Sequence, residues 1–131
     1  MSDEENKALV RRFFEQVVTG RQIEAVAEYF VPNSFLARAM KNGVNTFFTG
    51  FPDLKFTADD VLADSDKVIV RFTLSGTNTG PFMEHPPTGN SMTATGIHIY
   101  RIQAGKIVTS WQEFDMLSTM RQLGLIPIPG Q

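Results

Sequence analysis

Apolar residues first recur at helical spacing. Ser2 and Glu5 stand three apart, as in a capping box, so a helix starts there. Leu9, Val10, Phe13, Phe14, Val17 and Val18 form its apolar stripe, and Gly20 supplies a stop. Ile23, Val26, Ala27 and Phe30 mark a second, short helix that Pro32-Asn33-Ser34 breaks. A third runs from Phe35 to about Thr49, with Leu36, Met40, Val44, Phe47 and Phe48 on one side, and Gly50-Phe51-Pro52-Asp53 ends it.

From Leu54 the period falls to two. Val68, Val70, Phe72 and Leu74 alternate with Ile69, Arg71, Thr73 and Ser75, and Asp64-Ser65-Asp66 marks a turn from an earlier strand over Phe56 to Leu62. Asn78 to Asn90 is rich in Gly and Pro and reads as a long loop. Two more strands, Ser91 to Ile102 and Lys106 to Phe114, flank Gln103-Ala104-Gly105, and a last helix runs from about Asp115 to Leu123. The apolar, Pro-containing tail Leu125-Ile126-Pro127-Ile128-Pro129 is expected to pack as an extended flap. Helices first and an antiparallel meander afterwards give an α+β fold, a curved, mostly antiparallel sheet covered on one face by helices. Closed in this way it forms a cone-shaped α+β barrel whose apolar mouth suits a ligand.

The register of the last hairpin decides which residues look into that cone. A three-residue loop with Gly105 in the left-handed conformation sets Ile102 opposite Lys106, His98 opposite Ser110 and Gly96 opposite Gln112. One face then carries Met92, Ala94, Gly96, His98, Tyr100, Val108, Ser110, Gln112 and Phe114. The other carries Thr93, Thr95, Ile97, Ile99, Ile107, Thr109, Trp111 and Glu113. A two-residue loop would shift this register by one. The first face mixes small residues with polar groups able to meet a ligand. The second is either a solvated surface or, more simply, a homodimer interface centred on Trp111.

Composition narrows the chemistry. At 131 residues the chain is one domain, 1–131, and without Cys it has neither disulfides nor a thiolate nucleophile. Twelve basic and 14 acidic residues leave a formal charge of −2, with no basic cluster, which argues against nucleic acid or an anionic membrane as partner. No run reaches the ~18 apolar residues of a membrane span, and Met1-Ser2-Asp3-Glu4-Glu5 is acidic where a signal peptide is basic, so a cytoplasmic location is expected. The two His residues, His85 and His98, have no carboxylate at ligand spacing, and no metal is expected.

The stretch Gly96-Ile97-His98-Ile99-Tyr100-Arg101-Ile102-Gln103-Ala104-Gly105-Lys106-Ile107-Val108 resembles the SnoaL-like polyketide cyclases. So do Phe51-Pro52-Asp53-Leu54, Pro86-Pro87-Thr88-Gly89 and Arg121-Gln122-Leu123-Gly124, and the likeness runs from about Asn6 to Gly124. The resemblance implies a nuclear transport factor 2-like cone and cofactor-free, metal-free ring closure by intramolecular aldol condensation on a hydrophobic, oxygenated molecule. It also implies an acid/base Asp on the last strand and a substrate-holding His on the strand before. The His position falls on His98, but the Asp position falls on Gln112, which exchanges no proton near neutral pH. The segment between Phe30 and Phe51 is also shorter than the family pattern, at the expense of one wall of the cone.

His98 and Asp115 are therefore the catalytic candidates, with Gln112, Ser110, Tyr100 and Phe14 as ligand contacts. Each has a plainer reading beside it. His98 suits a hydrogen-bonded barrel histidine, Gln112 a buried amide satisfied by backbone, Asp115 the N-cap of the last helix, and Phe14 a core ring. Glu113 reads as an outer-face charge and His85 as a rim residue. Three functions stay open: a cyclase or isomerase, a binding protein without catalysis, and a structural dimer whose cone has collapsed.

Overall fold

The computed structural model describes residues 2–127, so Ile128 and Pro129 of the expected flap lie outside the described residues. Helix α1 (Asp3–Phe13) begins at the capping box: the Ser2 hydroxyl accepts from the Glu5 N–H at 3.1 Å, and the Ser2 N–H donates to the Glu5 carboxylate at 3.2 Å. It continues as a π-helical stretch, Phe14–Thr19, in which the Gly20 N–H reaches back to the Glu15 carbonyl at 2.7 Å. The widened turn keeps Phe14, Val17 and Val18 buried together. A 3₁₀ turn (Ile23–Ala25) leads into the short α2 (Val26–Tyr29), and α3 (Phe35–Gly50) follows after the Ser34 side-chain cap. Phe30 makes a single parallel bridge to Ile107, and the chain then passes through Pro32-Asn33 directly into α3.

Strands β1 (Lys55–Asp64), β2 (Lys67–Thr77), β3 (Ser91–Gln103) and β4 (Lys106–Phe114) form an antiparallel meander in the order β1-β2-β3-β4, and α4 (Met116–Gln122) closes the chain. Val61, Val68, Val70, Phe72, Leu74, Met92, Ala94, Tyr100 and Ile102 turn inward and pack against Val10, Phe13, Phe14, Val17 and Phe30 from the helices. The alternation follows from the strand period, which sends successive side chains to opposite faces.

The hairpin departs from the expected register. Its loop has two residues, Ala104 and Gly105, both at positive φ (49° and 74°), so Gln103 faces Lys106 and Ile102 faces Ile107. Two such residues twist in the sense that the flanking strands need. Val108 is then left unpaired in a bulge, after which Tyr100 faces Ser110, His98 faces Gln112 and Gly96 faces Phe114. The short loop and the bulge each displace the pairing by one. Their sum restores the parity, so His98, Gln112 and Phe114 share a face although their partners differ from expectation. Ile107 is the correction: expected outside, it is fully buried beside Ile102.

The long loop is held by one side chain. Asn78, 1% exposed, donates to the carbonyls of Gly50 (3.0 Å) and Gly80 (2.8 Å), and its Oδ1 accepts from the Thr88 N–H (2.9 Å) and hydroxyl (3.1 Å). Both N–H groups and both lone pairs of the amide are used, which ties α3, the loop and the entry to β3 together.

Candidate functional site

Between the inner sheet face and α3 lies a cavity of about 270 Å³. The π-helical stretch supplies Phe14 and Val18, and α3 supplies Ala39, Met40, Gly43, Val44 and Phe47. The sheet supplies Phe56, Phe72, Leu74, His98, Gln112 and Phe114, while Met116 of α4 closes one end and Leu54 the other flank. Ala39, Gly43 and Gln112 are the exposed members, so the mouth lies between α3 and β4. The cone has not collapsed despite the short passage after Phe30.

Aromatic packing shapes the walls. Phe14 stacks on Phe56 at 4.4 Å between centroids, with 9° between planes, and Phe56 stacks on Phe72 at 5.4 Å. Phe72 meets His98 edge-on at 4.7 Å, and Phe47 meets Phe114 edge-on at 5.3 Å. Gly96 makes the first of these contacts possible: a Cβ there would sit 2.5 Å from Phe72 Cζ and 2.8 Å from the Glu113 carbonyl oxygen.

Among the described residues, His98 and Gln112 are the polar side chains that line the cavity, directly across the β3–β4 pair. His98 Nδ1 lies 2.6 Å from the Tyr100 hydroxyl. Burial among rings pushes the imidazole pKa down to about 4, leaving it neutral near pH 7, and burial raises that of the Tyr100 phenol. Gln112 donates one Nε2–H to the Ser110 hydroxyl at 3.1 Å, which leaves its second N–H able to donate and Oε1 able to accept.

Of the other candidates, Phe14 lines the cavity. Tyr100 is fully buried behind His98 and Ser110 sits beside Gln112, neither of them in the cavity wall. Asp115 is not brought to His98 and Gln112. It is the N-cap of α4, its carboxylate accepting from the Ser118 N–H at 2.9 Å, and it borders a separate depression with Arg71, Thr95 and Ile97. An Asp just before a helix satisfies orphan N–H groups, and that geometry turns it from the cavity. His85 lies in the loop, where its backbone pairs with Phe82. The α3 and β2 wall residues were visible as apolar stripes but carried no polar signal to mark them as lining a site.

The SnoaL-like polyketide cyclase family model matches residues 8–123. The chain belongs to the SnoaL-like polyketide cyclase family. Solved structures agree in fold. TsrD from Streptomyces laurentii is 24% identical with a TM-score of 0.82, over 96% of this chain and 99% of that one. AclR from Streptomyces galilaeus is 24% identical with a TM-score of 0.84, over 97% and 89% respectively. A SnoaL-like polyketide cyclase from Agrobacterium tumefaciens is 19% identical with a TM-score of 0.76, over 95% and 100%. No curated protein matches the chain. The four strands and flanking helices are the nuclear transport factor 2-like cone. No described helix is long and apolar enough to cross a membrane.

Proposed function

We propose that this member of the family binds a neutral, hydrophobic small molecule that carries a carbonyl or hydroxyl oxygen, and that His98 and Gln112 hold that oxygen. One observation carries the reading: an apolar cavity whose polar side chains, among the described residues, are an uncharged imidazole and an amide. A charged ligand would lose its hydration there without gaining a counter-ion. A flat, apolar body stacks on Phe14 and Phe72 instead. The test is thermal shift and calorimetry with 2-acetylnaphthalene as probe. Binding to the protein as it stands, weakened by Gln112→Leu, supports the reading, and no binding by either method overturns it.

Cofactor-free cyclase or isomerase chemistry is the second reading, carried by family membership. It needs a base at the ligand, and the position where the resemblance puts that base holds Gln112. Asp115 is committed to capping α4, so we assign it no proton transfer. The geometry favours binding and carbonyl polarisation over ring closure. Asp115→Asn keeps the cap, and on this reading it leaves both probe affinity and any turnover unchanged; a lost rate with intact binding would restore Asp115 as the base.

We further propose a homodimer through the open face of the sheet. Leu62, Ile69, Ile99 and Trp111 pair in one row across all four strands, with Leu62 60% and Trp111 45% exposed. One neighbouring row carries Asp60, Arg71 and Glu113, and the other carries Asp64, Lys67 and Arg101, with Lys67 and Arg101 approaching the Trp111 ring to 5.8 and 5.5 Å. A two-fold axis parallel to the row lays the apolar row of one copy along that of the other. Sedimentation should give a mass near twice 14.6 kDa, and Trp111→Lys should return the monomer. A monomeric protein at micromolar concentration would exclude the dimer.

A further inference from the structure

We propose that Tyr100 is a positioning residue: its hydroxyl fixes the tautomer of His98, so that the imidazole turns an Nε2–H toward the cavity and acts there as a hydrogen-bond donor. The two residues stand two apart on β3, so they share the inner face and their side chains are neighbours. Tyr100 is fully buried, its ring 6.3 Å from Phe13 and 6.0 Å from Phe14, and among the described residues its hydroxyl meets one partner, His98 Nδ1.

A phenol carries one proton, and in a dry interior that proton must be donated. Nδ1 is the acceptor within reach, so it presents a lone pair. In the opposite arrangement Nδ1–H would donate to the phenolic oxygen, and the phenol's proton would be stranded among aromatic rings at the cost of an unmade hydrogen bond. Burial holds the imidazole uncharged near neutral pH, so its single N–H proton resides on Nε2. Nε2 has no hydrogen-bond partner among the described residues, while the His98 side chain borders the cavity. Phe72 lies edge-on against the ring at 4.7 Å and resists a flip. The consequence is chemical. With Nδ1 capped and Nε2 protonated, His98 has no lone pair to offer as a base, and it favours ligands whose oxygen accepts.

The second half of this inference rests on the reading of the cavity as a ligand site, but the tautomer does not. Long-range ¹H–¹⁵N correlation spectra of the whole protein near pH 7 measure it directly, with His85→Gln identifying the two sets of ring signals. His98 should appear as the Nε2–H form, and Tyr100→Phe should turn it into a mixture. The preference for 2-acetylnaphthalene over 2-ethylnaphthalene, read by calorimetry, should fall about fivefold in Tyr100→Phe. A role in packing alone would lower the melting temperature and leave the tautomer as it was, which would overturn the proposal. An Nδ1–H form in the unmodified protein would overturn it too, whatever the variant does. If neither naphthalene binds, the cavity reading fails, and the nitrogen shifts still decide the role of Tyr100.

Discussion

Gly43 sits in the middle of α3, at a position where alanine is the better helix former. It has ordinary helical backbone, since it is not among the glycines of positive φ, and a Cβ built on it would meet nothing within 4 Å. Neither strain nor crowding explains it. Its place in the cavity wall, at the mouth, does: a bare backbone keeps the entrance wide. Gly43→Ala should therefore raise stability by about 1 kcal/mol from reduced unfolded-state entropy alone. For a domain of this size that is a rise of about 4 °C in melting temperature, read by circular dichroism. Gly43→Leu should keep the fold while its side chain fills part of the mouth, weakening 2-acetylnaphthalene about tenfold or more. A lower melting temperature for Gly43→Ala would refute the reasoning, because it would reveal a packing role that the open space denies. Undiminished binding by Gly43→Leu would refute the placement of the entrance.

Three other outcomes follow from the same geometry. His98 has its pKa lowered on folding, to about 4 from 6.5, so the unfolded chain takes up the proton first as pH falls. Stability should be fully present above about pH 6.5 and decline by up to about 3 kcal/mol toward pH 4, a loss that urea titrations of His98→Gln should lack. Gly96→Ala forces a Cβ against Phe72 and the Glu113 carbonyl, and should cost about 2 kcal/mol by the same urea assay. Asn78→Ala strands the Gly80 carbonyl and the Thr88 N–H and removes one of two donors to the Gly50 carbonyl, and should cost about 3 kcal/mol with faster amide exchange at Thr88.

Much of the fold is written in short-range pattern. The capping box at Ser2 and Glu5, the stripe from Leu9 to Val18 and the alternation from Val68 to Leu74 each name an element and the face it buries. His98 and Gln112 were readable as members of one face because parity survives an error of two in the pairing. Their direct opposition was not, since a bulge at Val108 leaves no mark in a run of strand-forming residues. The π-helical stretch was equally hidden, because Phe14, Val17 and Val18 suit an α-helical stripe as well. Asn78 looked like one turn residue among several: it joins Gly80 and Thr88 of its own loop to the carbonyl at the end of α3, 28 residues back, which no local pattern announces. Asp115 carried two meanings in sequence, and only the position of the Ser118 N–H separates them.

The bulge at Val108 has a consequence for how such a cavity can change its chemistry. Were Val108 paired with Arg101 instead of bulged, the turn's own register would continue along β4, setting Trp111 opposite His98 and Glu113 opposite Gly96. Gln112 would leave the interior, and a carboxylate would enter it at the strand's far end. Within one hairpin, the bulging or pairing of a single residue thus separates an amide-lined pocket from an acid-lined one.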